Sequence, residues 1–248
     1  GQYFKHRTQG YRGYSQLDRQ HLRGNALLNS AFSSGAQIIC GQTVWFARRE
    51  GKRYHVRSLG SGNSFKILAK SVIVAVGAYE RPAIVPGWTL PGSITIGAAQ
   101  TFARRYGIVP GSRVVIAGHG PLGLQLASEL ISLGANVLAL VERGRPRLCM
   151  DLFKAICTAP QLVANGVGYR LSTLRANTKF LPGWELSEIL GENFVEGVNL
   201  RQISTGQKRQ FNVDIIAAGD GFAPQLEMSR LLDVPLMTNP ATGQIQPR

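Results

Sequence analysis

Arg113-Val-Val-Ile-Ala-Gly118-His119-Gly120-Pro121-Leu122-Gly123 is the stretch that decides the fold of this chain. Its first five residues form a short apolar run, which is typical of a strand buried in a parallel sheet. The glycines at 118, 120 and 123 then follow in the spacing G-x-G-x-x-G. In this pattern the first glycine makes a tight turn, the second lets the backbone approach a pyrophosphate, and the third lets a helix pack closely on the strand. The stretch predicts a dinucleotide site; the alternative is a glycine-rich turn of another α/β unit.

The residues after the glycines complete the unit that such a site requires. A helix is predicted from Pro121 to Leu133, with leucines at 122, 126, 130 and 133 on one face and Gly134 ending it. Its free N–H groups and the positive end of its dipole would hold the pyrophosphate. A second strand, Asn136 to Val141, leads to Glu142, whose carboxylate can accept a hydrogen bond from a ribose hydroxyl.

This unit supplies the predicted nucleotide-binding residues, which are Gly118, His119, Gly120, Pro121, Leu122, Gly123, Glu142 and Arg143. His119 either faces a phosphate or is a tolerated residue at a position that the pattern leaves free. Arg143 and Arg145 can hold a 2′-phosphate. The Glu142 carboxylate would repel that phosphate, so NAD is the first choice and NADP stays open.

The composition describes a globular chain without a membrane span. The chain has 248 residues, of which 44% are hydrophobic and 17% charged, and no apolar run reaches the ~18 residues that a membrane helix needs. No secretory signal is visible at the N-terminus. Cys40, Cys149 and Cys157 form no C-x-x-C pair, which argues against a disulfide framework or a zinc site. These features predict a cytoplasmic protein.

The net charge of +14 is unusually high. Such a charge can indicate binding to nucleic acid or to an anionic surface. The arginines, however, are scattered along the chain and form neither a basic-aromatic motif nor a basic helix. We therefore expect a solvated basic surface, which an acidic partner subunit would fit, and no nucleic-acid partner.

Periodicity and turn residues predict further elements on both sides of the nucleotide unit. Before it come a helix, a meander of three strands and a second helix: Leu17–Phe32 with Gly35 as its stop, then Ala36–Phe46, Arg53–Ser58 and Phe65–Val76, then Ile94–Tyr106. After it come a helix, three strands and a short helix: Asp151–Ala164 with Pro160 interrupting it, then Tyr169–Thr173, Val195–Ile203 and Phe211–Ala217, then Leu226–Leu232.

The order of these features carries a family resemblance. The meander, the strand end Ala75-Val-Gly77, the G-x-G-x-x-G domain and the strand Asp214-Ile-Ile-Ala-Ala-Gly219 resemble the pyridine nucleotide-disulfide oxidoreductase superfamily, whose flavoproteins have two dinucleotide domains. Four shorter stretches resemble a narrower group: Gly77-Ala-Tyr-Glu-Arg-Pro82, Pro86-Gly-Trp-Thr-Leu-Pro-Gly92, Gly97-Ala-Ala-Gln100 and Gly221-Phe-Ala-Pro224. That group comprises the FAD-dependent α (or A) subunits of opine oxidase, hydrogen cyanide synthase and proline or hydroxyproline dehydrogenase.

The resemblance implies an α/β fold with two Rossmann-like, glutathione-reductase-like domains. An FAD-binding domain, residues 1–88 and 220–248, would be split around an NAD(P)-type domain, residues 89–219. It also implies a fragment truncated at both ends, because the family's FAD glycine motif would precede Gly1 and its Gly-Asp motif would follow Arg248. The pair Gly219-Asp220 matches a different, earlier strand end and is not assigned that role.

The resemblance also assigns residues to the FAD site. Ala75, Val76 and Gly77 match the turn that lies along FAD, with Val76 in place of the usual threonine, so that a hydroxyl contact is lost. Val44 matches a strand residue that faces the adenine of the flavin, and Gln2 would lie near the flavin ring. The alternatives are core and loop positions for Val44 and Gln2, and a plain turn for Gly77.

The sequence names no catalytic side chain. Disulfide reductases place a cysteine pair beside the flavin, and the three cysteines here are not so spaced. Neither a Ser-His-Asp constellation nor metal-ligand spacing stands out. In flavoenzymes the cofactor carries the hydride chemistry. The expected cofactors are FAD and, at the second site, NAD(P) or an adenine nucleotide.

Three functions remain open at this point. The first is a flavin-dependent subunit that oxidises a C–N bond of an amino acid or opine, or relays electrons from an amine-oxidase-like partner subunit that does so. The second is an NAD(P)H-dependent flavin reductase acting on a non-disulfide acceptor. The third is a non-catalytic subunit whose second site holds a nucleotide structurally.

Overall fold

The computed structural model describes residues 19–60, 62–118, 120–144, 160–240 and 242–248. These residues form two compact units. The first comprises Glu80–Gly221 together with the described residues up to Gly24, and the second comprises Asn25–Tyr79 and Phe222–Arg248. The assignment of an FAD domain and a nucleotide domain to particular residue ranges remains a prediction.

Helices and strands alternate through much of the described chain. The helices are Arg19–Ser33 (α1), Ile96–Thr101 (α2), Pro121–Ser132 (α3), Pro160–Arg175 (α4) and Glu227–Leu231 (α5), with a π-helical turn at Phe102–Tyr106. The strands are Thr43–Glu50 (β1), Arg53–Gly60 (β2), Asn63–Ala69 (β3), Ala78–Glu80 (β4), Ser93–Ile94 (β5), Arg113–Gly118 (β6), Asn136–Glu142 (β7), Lys179–Pro182 (β8), Trp184–Leu190 (β9), Gly197–Gln202 (β10), Lys208–Asn212 (β11), Ile215–Ala218 (β12), Phe222–Pro224 (β13), Leu236–Thr238 (β14) and Ile245–Pro247 (β15). Within these described residues no helix is both long and apolar enough to cross a membrane.

The first unit is built on a parallel sheet with the strand order β5-β12-β6-β7-β8. Strand β6 lies at its centre, and Val114, Val115 and Ile116 are fully buried. Alternate residues of β6 enter two hydrophobic clusters, one with α2 and α3 and one with β9 and β10. Because both faces of the sheet are covered, the strand is apolar and buried from Val114 to Ala117, as the sequence predicted.

Helix α3 also follows the prediction, and its C-terminus shows why it ends. Gly134 has φ +92°, a conformation that glycine adopts at little cost. The N–H of Gly134 donates to the carbonyl of Ile131 at 3.0 Å, and that of Ala135 donates to Leu130 at 3.0 Å. This is the Schellman arrangement, which satisfies carbonyls that the last turn would otherwise leave unpaired.

The strand predicted at Tyr169–Thr173 is wrong, because these residues belong to α4. Strands β7 and β8 are parallel neighbours, and a parallel pair requires a long crossover connection that is usually helical. The described part of this helix begins at Pro160, and the interruption predicted at Pro160 stays a prediction. The remainder of the helix predicted from Asp151 lies outside the described residues.

Other predicted boundaries also differ from the structure. The strand predicted at Phe211–Ala217 is two strands, β11 and β12, in different sheets, and strands β8 and β9 were not predicted. Ile94 belongs to β5, and α2 begins after Thr95, whose Oγ1 accepts the N–H of Ala98 at 3.2 Å. This cap supplies a partner to one of the free N–H groups of the first turn.

The second unit contains the predicted meander, in which β1, β2 and β3 pair antiparallel in chain order. Residues 36–42 and 70–77 lie outside these three strands, so the predicted strands Ala36–Phe46 and Phe65–Val76 are too long. Most side chains of these two segments are exposed, and their apolar sequence therefore does not reflect burial within the described chain. Helix α1 agrees with the prediction over its described residues, and Gly35 follows it with φ +76°.

An ion pair between Asp214 and Arg113 links the starts of the two central strands, β12 and β6. The Asp214 Oδ2 accepts the backbone N–H of Arg113 at 2.8 Å, and Oδ1 accepts its Nη2 at 2.6 Å. The Arg113 guanidinium and then its backbone N–H hold the pKa of the Asp214 carboxyl below its usual range. Asp214 lies between β11 and β12, and its side chain is directed to Arg113 of β6. This contact lies in the break that divides the strand predicted at Phe211–Ala217.

We expect Asp214→Asn to lower the free energy of unfolding slightly at pH 7, and the loss to disappear in acid. A lowered folded-state pKa gives a stabilisation that is present above the unfolded pKa of about 3.9 and is lost as the pH falls through the folded value. The thermal midpoints of the native chain and the variant should thus differ between pH 5 and 7 and converge below about pH 4. Glu192→Gln, at an exposed position, is the control, and a difference that grows in acid would contradict this assignment.

Candidate functional site

The glycine loop connects β6 directly to α3. Gly120 is the residue before the helix, with φ +79° and ψ −167°, and Pro121 occupies the first turn. A Cβ added at Gly120 would meet no atom within 4 Å in the described chain. The backbone at this point is therefore open, and a ligand can approach it at the positive end of the α3 dipole.

The other two glycines are required by packing. A Cβ on Gly123 would lie 3.2 Å from Leu140 Cδ1 and 3.5 Å from Ile116 Cγ2, so the helix lies close on the strands, as predicted. A Cβ on Gly118 would lie 2.5 Å from Ile96 Cδ1. Gly118 is the last residue of β6 and does not have a left-handed conformation. The absence of a side chain at Gly118 makes room for Ile96, whereas the tight turn predicted at Gly118 would call for a left-handed conformation.

Glu142 lies at the end of β7 and points back to the loop. Its Oε1 accepts the backbone N–H of Gly120 at 3.0 Å. A carboxylate is electrostatically favoured at this end of α3. The contact with a ribose hydroxyl remains a prediction for Glu142, and His119 lies outside the described residues.

A cleft of about 550 Å³ opens beside the loop. The described residues that line it come from the loop, β7, α4 and β8: Gly118, Gly120, Pro121, Gly123, Leu124, Leu140, Val141, Glu142, Arg170 and Phe180. Leu122 packs against the hydrophobic cluster beneath the helix instead. Five lining residues were not among the predicted site residues: Leu124, Leu140, Val141, Arg170 and Phe180. Arg170 and Phe180 were missed because the sequence placed Arg170 in a strand and assigned no element to Phe180.

Arg143 lies in a different cleft, of about 510 Å³. That cleft is lined by residues of the first unit: Ala83, Ile84, Val85, Ala117, Gly118, Val141, Arg143, Trp184, Glu185, Leu186, Gly219 and Asp220. The Arg143 Nη2 lies 3.4 Å from Glu185 Oε2. Arg201 also binds this carboxylate, with its Nε donating to Glu185 Oε1 at 3.0 Å. The structure thus places Arg143 apart from the cleft that Glu142 lines, and Arg145 lies outside the described residues.

The two clefts meet where the strand order reverses. From β6 the chain continues to β7 and β8 on one side, whereas β12 lies on the other side of β6. In open α/β sheets, ligands bind at the carboxyl ends of the strands where the strand order reverses in this way. The N–H of Gly219 donates to the Ala117 carbonyl at 3.0 Å. The Glu80 Oε2 accepts the N–H of Gly97 at 2.7 Å, and a Cβ on Gly219 would lie 2.7 Å from Glu80 Oε1. Glu80 was not predicted as a site residue. The available signal in the sequence was Gly219, a second glycine directly after a parallel strand.

The described residues that are predicted to contact FAD are exposed, and Gln2 lies outside the described residues. Val44 lies on β1 beside an irregularity in its pairing with β2. Ala75, Val76 and Gly77 lie outside the strands and are exposed as well. Gly77 has φ +84°, and a Cβ added there would meet no described atom within 4 Å. Its carbonyl accepts the N–H of Gln225 at 3.1 Å. These surfaces are open to a ligand, while their contacts with FAD remain a prediction.

Curated proteins similar in sequence are components of oxidases and synthases. The A chain of opine oxidase from Agrobacterium tumefaciens is 28% identical over 243 residues, which are 93% of this chain and 47% of that protein. The HcnB component of hydrogen cyanide synthase from Pseudomonas protegens is 27% identical over 187 residues, which are 73% of this chain and 40% of that protein. The chain therefore spans about half the length of the curated relatives that it matches.

Solved structures share the fold. Thioredoxin reductase of T. acidophilum superposes with a TM-score of 0.66 at 17% identity, over 95% of this chain and 70% of that one. This likeness confirms the predicted α/β fold class. The model of one family, pyridine nucleotide-disulphide oxidoreductase, matches residues 15–243, a range that contains the glycine loop, both clefts and the meander. The expected cofactors of this oxidoreductase family are FAD and NAD(P). The chain thus belongs to the pyridine nucleotide-disulphide oxidoreductase family.

Proposed function

We propose that this chain is part of an FAD-dependent oxidoreductase that oxidises a C–N bond of an amino acid or opine, or relays electrons from that oxidation. The observation that carries the proposal is the match to the opine oxidase protein of Agrobacterium tumefaciens along 93% of the chain. A shorter match of 40% identity over 93 residues links the chain to the corresponding opine oxidase protein of Rhizobium meliloti. The alpha subunit of sarcosine oxidase from Corynebacterium adds a third relative whose name specifies an amine substrate.

The described residues fit a pyridine nucleotide at the glycine loop. Gly120 leaves space at the backbone, and α3 presents the N–H groups of its first turn toward that space. A side chain at Gly120 would fill the approach, so the loop supports binding of a phosphate group there. Gly118, Gly120, Gly123 and Glu142 would hold the nucleotide.

The second unit offers part of a site for FAD. Val44, Ala75, Val76 and Gly77 would contribute one part of an FAD site. When bound, FAD accepts a hydride equivalent from the donor, and the protein orients the reacting groups. The sequence contains one G-x-G-x-x-G motif, at Gly118, and we assign that motif to the pyridine nucleotide. The four exposed residues are therefore the ones that we assign to FAD.

The cysteines support a reaction other than disulfide reduction. Cys40 is exposed and makes no disulfide within the described residues. Neither Cys149 nor Cys157 lies at the spacing of a redox pair in the sequence. Since disulfide reductases transfer electrons through such a pair, the family's flavin chemistry is more consistent here with another substrate.

A partner subunit is part of the proposal. The relatives are named as subunits of opine oxidase, sarcosine oxidase and hydrogen cyanide synthase. We propose an amine-oxidase-like partner that shares the oxidation with this chain, and a cytoplasmic location for the complex. The net charge of +14 would suit an acidic partner surface.

The test is a steady-state assay of the full-length protein, purified with any subunit that accompanies it. Proline, sarcosine and opines are offered singly, an artificial dye accepts the electrons, and the carbonyl product is identified by mass spectrometry. We expect dye reduction with at least one of these amines and formation of the corresponding oxidised product. Dye reduction by NADH or NADPH, with none by any amine, would contradict the proposal.

That contrary outcome would support the second candidate, an NAD(P)H-dependent flavin reductase of a non-disulfide acceptor. The open glycine loop and the adjoining cleft favour this candidate, because they form a nucleotide site within the first unit. The two candidates differ in the donor that reduces the flavin.

A further inference from the structure

The cleft beside Glu142 contains a positively charged side chain that its sequence context did not reveal. The Arg170 guanidinium lies over the Phe180 ring, 4.5 Å from the ring centroid. Both residues line the cleft together with Gly120 and Glu142. Among the described residues that line this cleft, Arg170 is the one cation.

We infer that Arg170 determines the affinity of this site for 2′-phosphorylated pyridine nucleotides, the NADP class. The inference rests on the proposed nucleotide site and names the residue that distinguishes between its two ligands. In dinucleotide folds the acid at the end of the second strand lies at the 2′ position of the adenosine ribose, and a nearby arginine accommodates a 2′-phosphate there. Glu142 occupies the position of that acid, and the cleft that it lines is the one that contains Arg170.

Arg170 is held in place before any ligand arrives. Its Nη1 donates to Thr173 Oγ1 at 3.3 Å, and this hydroxyl in turn donates to the Arg170 carbonyl at 2.8 Å. Thr173 is fully buried, which fixes the direction of the arginine side chain. The other guanidinium N–H groups make no hydrogen bond within the described chain. A planar guanidinium on an aromatic ring can still offer two parallel donors to a phosphate.

The charge of Glu142 does not exclude a 2′-phosphate in this arrangement. Its Oε1 is engaged with the backbone N–H of Gly120, so the carboxylate is directed to the glycine loop. Arg170 supplies an opposing charge in the same cleft. Arg143, the cation that the sequence favoured for this role, pairs with Glu185 in the other cleft.

The test measures binding by calorimetry, with the full-length protein as isolated. Two ligand pairs differ by the 2′-phosphate alone: NADPH with NADH, and adenosine 2′,5′-bisphosphate with 5′-AMP. For Arg170→Gln we expect binding of the 2′-phosphorylated ligands to weaken by about 10-fold or more, while that of their partners changes by less than about 3-fold. Arg170→Lys keeps the charge but loses the planar fork, so its effect should be intermediate.

Two further variants make the test specific. Arg175→Gln removes an exposed cation from the same helix without touching the cleft, and should leave both members of each pair unchanged. Arg143→Gln tests the rival cation. The inference is overturned if Arg170→Gln weakens both members equally, if it changes neither, or if only Arg143→Gln removes the preference for the 2′-phosphate.

The failure of this inference differs from the failure of the proposed nucleotide site. If the native protein binds NADH and 5′-AMP but Arg170→Gln leaves every affinity unchanged, the site stands and only the role of Arg170 is wrong. If the native protein binds none of the four ligands, both the site and the role of Arg170 are refuted.

Discussion

Gly120→Ala is expected to weaken NAD(P) binding by about 100-fold, which corresponds to about 2.7 kcal/mol, and to leave the protein folded. The glycine has φ +79°, and a Cβ there would point into space that the described chain leaves open. A methyl group would stand where the nucleotide phosphates approach the backbone. Its backbone, with φ +79° and ψ −167°, is also in a region that is essentially restricted to glycine, and this costs another residue on the order of 1–3 kcal/mol, which is a stability effect and not a binding effect.

Gly134→Ala separates these two effects on the same helix. Gly134 lies at the other end of α3, has φ +92°, and would likewise place its Cβ within 4 Å of no described atom. Its replacement should therefore also cost stability, by roughly 1–2 kcal/mol, without a loss of nucleotide affinity. Equilibrium titration with NADH and NADPH, alongside thermal unfolding of both variants, makes the comparison. Equal affinities in the two variants would remove Gly120 from the site.

Glu129→Ala is expected to lower the free energy of unfolding by about 1–3 kcal/mol. Arg104 is 5% exposed, and its Nη1 donates to Glu129 Oε1 at 2.8 Å. Gln125 Nε2 donates to the same oxygen at 2.8 Å. Removing the carboxylate takes one charged hydrogen-bond partner away from a buried guanidinium, and losing such a partner is costly. Urea unfolding of the native chain and the variant measures the difference.

Two controls show whether burial of the charge is the cause. The double variant Arg104→Met/Glu129→Met removes both charges and should recover much of the stability. Glu50→Ala breaks an exposed contact with Arg48 at 3.9 Å, and should cost less than about 1 kcal/mol. If the double variant is no more stable than Glu129→Ala, the loss comes from packing and not from the lost ion pair.

The nucleotide unit was predictable because its determinants are local. The strand at Arg113, the glycine spacing, the leucine face of α3 and the stop at Gly134 all act over a few residues. Glu142 followed from the position of a strand end. Each of these features specifies its own backbone conformation, so periodicity and turn chemistry were sufficient.

The remaining features depend on contacts distant in sequence. Arg170 enters the cleft because α4 crosses between two parallel strands, and a strand had been predicted at Tyr169–Thr173. Its position over Phe180 requires β8, which is too short to carry a pattern of its own. Glu80 reaches the first turn of α2 and also Gly219, which is far from it in sequence. Arg143 was adjacent to Glu142 in sequence, yet Glu185 draws its side chain to the other cleft.

The most direct test of the proposed function is the absorbance of the flavin in the full-length protein under anaerobic conditions. Proline-like amines, opines, NADH and NADPH are added one at a time, with and without the co-purified partner subunit. The account predicts that an amine or opine bleaches the flavin, alone or with the partner present. Bleaching by NADH or NADPH and by no amine would contradict it, and a protein that binds no flavin would refute the assignment of FAD.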